Sequence, residues 1–237
     1  MTTPKTQAEG GSLSLFTSNS TRGVLAELLP EFERASGTRV SVSYDPALVM
    51  LKRIAGGESA DLAILGQAAI DELAAKGKIS PDSRRTLARC GVGLGVRAGA
   101  PKPDISSVDA LKRALLAARS ICHTTRGASG IHFSSVIERL GIADEVKAKA
   151  VRNEGGLIGE LVVRGEAELA VQQIPELMAV PGLEVVGPLP QELQSISVVT
   201  AGIFTGSKQA SAARALLEFL GTPASARVFR SKGLEPA

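Results

Sequence analysis

The sequence predicts an α/β protein of two doubly wound lobes with a central cleft and two crossover strands. Three observations support this prediction: short buried apolar runs alternate with helical segments, one sequence segment is echoed later in the chain, and two stretches are loop-like in composition. The chain has 237 residues, more than one typical core, and 44% of them are hydrophobic and 22% charged, as in ordinary globular proteins.

The first part of the chain alternates strands and helices in a regular order. Near-continuous or alternating apolar runs indicate buried strands of a parallel sheet. A 3.6-residue apolar period, with proline or glycine at the ends, indicates the helices between them. The predicted strands are residues 13–16, 39–44 and 61–65, and the predicted helices are residues 21–36, 46–56 and 67–76.

The second part resumes this alternation after a glycine-spaced strand. The predicted strands are residues 91–96, 120–124, 150–152, 168–172, 183–186 and 197–204, and the predicted helices are residues 108–117, 129–140, 156–164, 175–178, 208–220 and 223–231. Proline and glycine near residues 97–103 and 187–196 indicate where the chain crosses between lobes. We therefore predict lobe I from residues 1–96 and 197–237, and lobe II from residues 97–196.

An internal echo favours two lobes built on one plan. The segment GESADLAI at residues 57–64 resembles GEAELAV at residues 165–171, with one gap. Each copy ends a helix, turns at Gly-Glu and enters a buried strand, so we expect the copies at equivalent positions of the two lobes. Chance similarity is the alternative for so short a match.

The composition argues against several kinds of partner. No tryptophan, one tyrosine and six phenylalanines leave few stacking platforms for single-stranded nucleic acid. The net charge of +3 comes from scattered basic residues, which disfavours nucleic-acid binding in general. Two cysteines and two histidines match no metal spacing, so neither a metal nor a cofactor is expected. No apolar stretch reaches the roughly 18 residues of a membrane span, so no membrane insertion is expected.

The beginning of the chain bears on its location. The first twelve residues are polar and contain no apolar segment of the kind that directs secretion. As it stands, the sequence predicts a cytoplasmic protein, with a periplasmic location as the alternative if a leader has been removed. The choice matters for function, because a cytosolic receptor has no transporter to serve.

Two strand-to-helix loops carry the candidate ligand-binding residues. Ser18, Asn19 and Ser20 lie between a strand end and a helix start, as do Ala128 and Ser129 in the second part of the chain. Unpaired N–H groups and the helix dipole favour an anion at such positions. Helix capping by the same side chains is the alternative interpretation.

Further candidates lie close to these loops in sequence or at a strand end. Arg126 suits a bidentate contact with a carboxylate, and Gln172 ends a strand at the expected edge of the cleft. Asp45 and His132 are the catalytic candidates for proton transfer, and His123 is considered for the same role. Helix capping is the alternative for Asp45, and packing is the alternative for the histidines.

Four segments carry a resemblance to a known family: LSLFTSNS at residues 13–20, ADLAIL at 60–65, GASG at 127–130 and KGLEP at 232–236. In this order they resemble type II periplasmic solute-binding proteins, in the branch that contains the molybdate-binding component of ABC transporters. The resemblance implies two lobes that close on a small anion held by hydroxyls and backbone N–H groups. It also implies ABC transporter membrane subunits as a partner. The same branch includes a cofactor-free isomerase that acts on aconitate.

The sequence departs from the molybdate-binding pattern at two places. SYDPA at residues 43–47 replaces a loop rich in serine and glycine, and VQQ at residues 171–173 stands where those binders have a tyrosine. A carboxylate at Asp45 would repel a dianion, whereas Arg126 would suit a carboxylate ligand. The departures therefore argue against a tetrahedral oxyanion.

Three functions follow from this pattern. The leading one is binding of a small carboxylate or oxyanion in the interlobe cleft, as in an ABC-transporter substrate-binding protein. The alternative is a cofactor-independent isomerase that shifts a proton on an unsaturated polycarboxylate such as aconitate. An intracellular sensor that docks a partner protein is the third, although the sequence contains no partner motif.

Overall fold

In the computed structural model, which describes residues 11–237, the chain forms two sheets that are covered by helices. The stretch 1–10, which carries most of the interpretation of cellular location, lies outside the described residues. Within the described part of the chain, no helix combines the length and the apolar character needed to cross a membrane.

The elements are numbered along the chain. The strands are β1 Ser12–Thr17, β2 Arg39–Tyr44, β3 Leu62–Gly66, β4 Arg85–Cys90, β5 Val92–Arg97, β6 Ile121–Thr124, β7 Ala150–Asn153, β8 Leu169–Gln173, β9 Leu183–Pro188, β10 Ser197–Ile203 and β11 Glu235–Pro236. The α-helices are α1 Arg22–Ser36, α2 Ala47–Ala55, α3 Gln67–Ala75, α4 Val108–Ala117, α5 Ala128–Arg139, α6 Ala143–Ala148, α7 Gly159–Val163, α8 Ile174–Met178, α9 Ala210–Leu220 and α10 Pro223–Ser231. A 3₁₀ turn, Asn19–Thr21, leads into α1.

The two sheets share a five-strand arrangement, and the first sheet has β11 as a sixth strand at its edge. Their strand orders are β11-β4-β10-β3-β1-β2 and β7-β6-β8-β5-β9. In each sheet three parallel strands lie side by side, and the next strand, β10 or β5, runs antiparallel to its neighbours. The predicted α/β class with two doubly wound lobes is thus confirmed, with the antiparallel strands at the crossovers.

The internal echo occupies equivalent positions in the two sheets. Strands β3 and β8, which begin within the two copies, each lie between the antiparallel strand and the first parallel strand. Gly57 and Gly165 begin the copies with positive φ angles of 101° and 82°. Glycine adopts this backbone conformation without steric cost, so both turns are made in the same way. The expected equivalence is confirmed.

Both faces of each sheet are covered. Alternate residues of β3 point to opposite sides, so Ile64 packs with Leu25 and Phe32 of α1, whereas Leu65 packs with Ile70 of α3. The second sheet repeats this arrangement with α4, α5 and α6 on one face and α7 on the other. Burying one such side chain contributes about 1.5–3 kcal/mol, so both helix layers stabilise their sheet.

Sheet membership differs from the predicted lobe boundary at one strand. β5 pairs with β8 and β9 of the second sheet, although the predicted division assigned residues up to 96 to lobe I. The first crossover is therefore at Gly91, between β4 and β5. No break in composition marks this position because the strands follow each other directly. The loop-like stretch at 97–103 lies between β5 and α4 instead.

Candidate functional site

The two predicted loops face one cavity between the sheets. The cavity measures about 80 Å³, below the ~300–1,000 Å³ of pockets for drug-sized ligands, and so suits a compact molecule. It lies outside the carboxyl ends of the parallel strands, where α/β proteins commonly bind ligands. Residues from the first sheet's side are Ser18, Asn19, Ser20, Pro46, Ala47 and Gly66. Residues from the second sheet's side include Thr124, Gly127, Ala128, Ser129, Gln172 and Glu176.

In the first loop, an arginine behind the cavity orients the amide of Asn19. Asn19 Oδ1 accepts a hydrogen bond of 3.1 Å from Arg22, which leaves the amide hydrogens as donors. The Arg22 guanidinium in turn lies 4.0 Å from the centroid of the Tyr44 ring, a cation–π contact. The hydroxyls of Ser18 and Ser20 lie 2.9 Å apart. The loop is thus held by hydrogen bonds within it and by its contact with Arg22.

In the second loop, glycines allow α5 to begin directly against the end of β6. A Cβ at Gly127 would lie 2.5 Å from Thr124 Oγ1, and one at Gly130 would overlap the Thr124 carbonyl oxygen. Any larger residue would therefore push the helix away from the strand. With glycine at both positions, the first turn of α5 presents the backbone N–H groups of Ala128 and Ser129 to the cavity.

Neither helix start is capped by a side chain. The N-cap residues are Thr21 for α1 and Gly127 for α5, and neither makes a side-chain cap hydrogen bond to the described chain. The capping alternative for Ser20, Asn19 and Ser129 is thus not observed. Unpaired amides and the positive ends of the helix dipoles are left facing the cavity, which favours an anion.

A buried hydroxyl in the cavity wall lacks a partner. Thr124 is 2% exposed, and its Oγ1 makes no hydrogen bond within the described part of the chain. Thr200 Oγ1 is buried and unpartnered in the same way, but Thr200 does not line the cavity. An unsatisfied buried hydroxyl costs about 1–3 kcal/mol. A ligand oxygen would satisfy Thr124, which the sequence patterns did not single out although it ends a buried strand.

The glutamine predicted as a ligand residue holds a neighbouring loop. Gln172 Oε1 accepts from the Ile158 N–H at 3.2 Å, and its Nε2 donates to the Gly156 carbonyl at 2.7 Å. The next residue, Gln173, donates to the Ser197 hydroxyl at 2.8 Å and so ties β8 to the crossover strand β10. Gln172 lines the cavity, and its contact with a ligand remains a prediction.

One acidic residue of the lining was missed from the sequence. Glu176 is the third residue of α8. Burial raises its pKa to about 8, against smaller lowering effects from the Gln173 backbone, the Gln172 side chain and the Arg22 charge. The neutral acid therefore predominates at pH 7. Like the two loops, α8 begins at the carboxyl end of a buried strand, and this shared position is the signal that could have found Glu176.

Asp45 lies outside the lining described above. Its carboxylate pairs with Arg53, which also contacts Glu58 at 2.7 Å. Pro46, not Asp45, is the N-cap residue of α2 and borders the cavity. Arg53 therefore offsets part of the negative charge that the sequence placed at Asp45. A role for Asp45 in proton transfer remains a prediction.

Arg126 and His132 are also engaged elsewhere. Arg126 pairs with Glu154 at 2.9 Å with 48% of its side chain exposed, on a neighbouring groove of about 620 Å³. His132 Nε2 lies 2.8 Å from the Leu193 carbonyl oxygen. His123 is buried, which lowers its pKa, and it does not line the cavity. The ligand contact of Arg126 and the catalytic role of His132 remain predictions.

The cavity offers hydrogen-bond donors rather than fixed positive charge. Among the described residues that line it, none is lysine, arginine or histidine. The described part of the chain also contains no group of three or more His, Cys, Asp or Glu side chains arranged to hold a metal ion. Glu176 in its neutral form would not repel an anion held by these donors.

The chain is similar to known proteins over nearly its whole length. The family described as bacterial extracellular solute-binding protein matches residues 13–235. An aconitate isomerase from a Pseudomonas species is 34% identical over 231 residues, which cover 95% of this chain and 88% of that protein.

Solved structures share the fold. The periplasmic molybdate-binding protein of Azotobacter vinelandii has a TM-score of 0.79 at 18% identity, with 94% of this chain and 98% of that chain covered. The sulfate-binding protein of Mycobacterium tuberculosis H37Rv has a TM-score of 0.74 at 18% identity, with coverages of 96% and 87%. These likenesses confirm the type II periplasmic-binding fold. On the match of residues 13–235, the chain belongs to the bacterial extracellular solute-binding protein family.

Proposed function

We propose that the cavity binds a small polycarboxylate and that the protein moves a proton on an unsaturated tricarboxylate of the aconitate class. Binding of a small anion is the general function that the family and the cavity support. The main observation in favour of anion binding is the Thr124 hydroxyl, which has no partner among the described residues and lies between two helix starts without side-chain caps. The reaction is inferred from the aconitate isomerase that is 34% identical to this chain.

The donors of the cavity wall are sufficient for useful affinity. A micromolar complex requires about 8 kcal/mol. A hydrogen bond to a charged group contributes roughly 1.5–3 kcal/mol, and a helix N-terminus adds about 0.3–1 kcal/mol. About four donors among Asn19, Ser20, Thr124, Ala128 and Ser129 would reach this value without a cation in the lining.

The proposed reaction needs only an acid–base group. A base removes a proton from the methylene carbon beside the double bond, and the electron pair is delocalised over the allylic carbons and their carboxylates. A proton is then delivered to the far alkene carbon while the double bond shifts by one position, and exchange of the base's proton with D2O before this step introduces deuterium. Atoms and electrons balance, so the step requires no oxidant, reductant or second substrate.

A receptor that delivers its anion to ABC transporter membrane subunits is the second candidate. The molybdate- and sulfate-binding proteins that share the fold favour it. The fold alone does not separate binder from enzyme, because a cleft that closes on an anion serves both.

Thermal unfolding and proton NMR distinguish the two candidates. Unfolding is measured with cis-aconitate, trans-aconitate, the saturated analogue tricarballylate, molybdate and sulfate. We expect the tricarboxylates to raise Tm. At a hundredfold excess over Kd, a bound ligand adds about 2.7 kcal/mol to the free energy of unfolding. We also expect the aconitate isomers to interconvert in D2O with deuterium uptake. Stabilisation without interconversion would overturn the isomerase and support the receptor. Absence of stabilisation by any of these anions would overturn both candidates.

A further inference from the structure

Glu176 holds a distinct place in the cavity wall. Helix α8 packs against the turn Asn19–Thr21 and against α1 of the first lobe, which brings Glu176 to the junction of the lobes. Among the described lining residues, Glu176 is the one with an ionisable side chain. A proton taken from a molecule in this cavity by a group of the lining would therefore pass to Glu176.

We propose that Glu176 removes a methylene proton of the bound tricarboxylate and delivers a proton to the far alkene carbon. This inference rests on the proposed function and names the group that performs its chemical step. The carboxylate of Glu176 gains a proton as the allylic carbanion forms, and loses one as the new C–H bond forms. The group ends the cycle in its starting state, so one residue serves as both base and acid.

The surroundings of Glu176 suit this task. Two charged or titratable groups interact with Glu176. Arg22 of α1 lowers the pKa of Glu176, and Glu176 helps to raise the pKa of Cys90 of β4. Burial outweighs Arg22, so the carboxyl is mainly neutral at pH 7 and its ionised fraction, which acts as the base, grows as pH rises. A base whose pKa lies near the working pH is also efficient in proton transfer.

A purely structural role is the competing explanation. Gln173 is the N-cap residue of α8 and Glu176 is its third helical residue, so the carboxyl can accept from the Gln173 backbone N–H as in a capping box. Such a contact would hold the carboxyl in one orientation whether or not it reacts. The experiment must therefore separate proton transfer from capping.

Glu176→Gln makes this separation. Glutamine keeps the shape and the capping contact but cannot take up the proton. We expect tricarballylate affinity within about threefold of the wild-type value, and interconversion and deuterium exchange slower by at least about 100-fold. In the wild type we expect kcat to rise with pH as the base ionises, a dependence that a cap would not produce. Glu192→Gln changes an exposed glutamate that is not part of the lining and should keep full activity.

The outcomes are distinguishable. Full activity in Glu176→Gln would overturn the inference and leave the proposed function standing. Loss of tricarballylate binding together with activity would also overturn it, because Glu176 would then act in binding or capping. A wild-type protein without interconversion would overturn the proposed reaction itself. Parallel assays of Asp45→Asn and His132→Gln reveal whether either residue carries the proton instead.

Discussion

Pro46 of the first lobe and Gly155 of the second lie so close that a Cβ at Gly155 would be 2.7 Å from Pro46 Cγ. Gly155 does not have a positive φ, so the contact and not the backbone conformation requires glycine here. Both residues border the cavity. The lobes therefore meet directly at one wall of the candidate site.

Gly155→Ala should weaken ligand binding, because the described contact with Pro46 leaves no room for a methyl group. The added methyl keeps the lobes apart at Pro46, and we expect about tenfold weaker tricarballylate binding, roughly 1.4 kcal/mol. Titration calorimetry measures the change. Gly206→Ala is the control, because a Cβ there has no atom within 4 Å. Unchanged affinity in Gly155→Ala would show that ligand binding does not depend on this approach.

A pair of buried threonines tests the ligand role of Thr124. Thr124→Val removes an unpartnered hydroxyl from the cavity wall, and Thr200→Val removes one that lies elsewhere. We expect neither change to destabilise the empty protein, since no hydrogen bond is lost. Thr124→Val should weaken tricarballylate binding about 10–100-fold, the value of one hydrogen bond to a charged group. Equal affinities of the two variants would contradict this role.

Gly130→Ala should destabilise the protein strongly. Its Cβ would overlap the Thr124 carbonyl oxygen, which belongs to the backbone and cannot move aside. We expect a loss of about 3 kcal/mol in the free energy of unfolding, measured with urea. Ser135→Ala, at an exposed position of the same helix, is the control and should be neutral or slightly stabilising. A stable Gly130→Ala protein would mean that α5 can shift from β6.

The pKa of Glu176 predicts a stability change with pH. It lies at about 8 in the folded protein against an ordinary 4.5, because burial disfavours the charge. Between these values the folded protein keeps a proton that the unfolded chain has lost, so its contribution to stability falls as pH rises. Below pH 6.5 the contribution of His123 to stability instead rises with pH, because burial lowers the pKa of this side chain in the folded protein.

The difference between wild type and Glu176→Gln isolates this effect. Both proteins contain His123 and Cys122, whose titrations do not depend on Glu176 and therefore cancel in the comparison. Urea unfolding from pH 5 to pH 9 should show the wild type losing stability relative to the variant as pH rises. Parallel curves would mean that Glu176 titrates near its ordinary value.

Most of the fold followed from local sequence patterns. Apolar alternation, helical periods and turn glycines predicted β1–β3 and α1–α3 close to their observed bounds. Charged residues interrupt the alternation in β4, and β11 contains only Glu235 and Pro236, so neither strand was predicted. Their places depend on pairing with β10 and with each other, partners that are distant in the chain.

The candidate site was predicted only where it depends on local sequence, as for the fold. Ser18–Ser20 and Ala128–Ser129 were found because a strand end and a helix start are visible in the local sequence. Arg126 and Asp45 appeared equally suitable, but their pairing with Glu154 and Arg53 is decided by residues that the fold brings together.

The sequence by itself determined the α/β class, the order of most elements and the two loops that line the candidate cavity, since each depends on neighbouring residues. Only the tertiary structure decided that Thr124 Oγ1 has no hydrogen-bond partner among the described residues, that Glu176 lines the same cavity, and that Pro46 meets Gly155. Burial and pairing depend on residues that are distant in the chain and come together only in the folded structure, where they exclude water from each other.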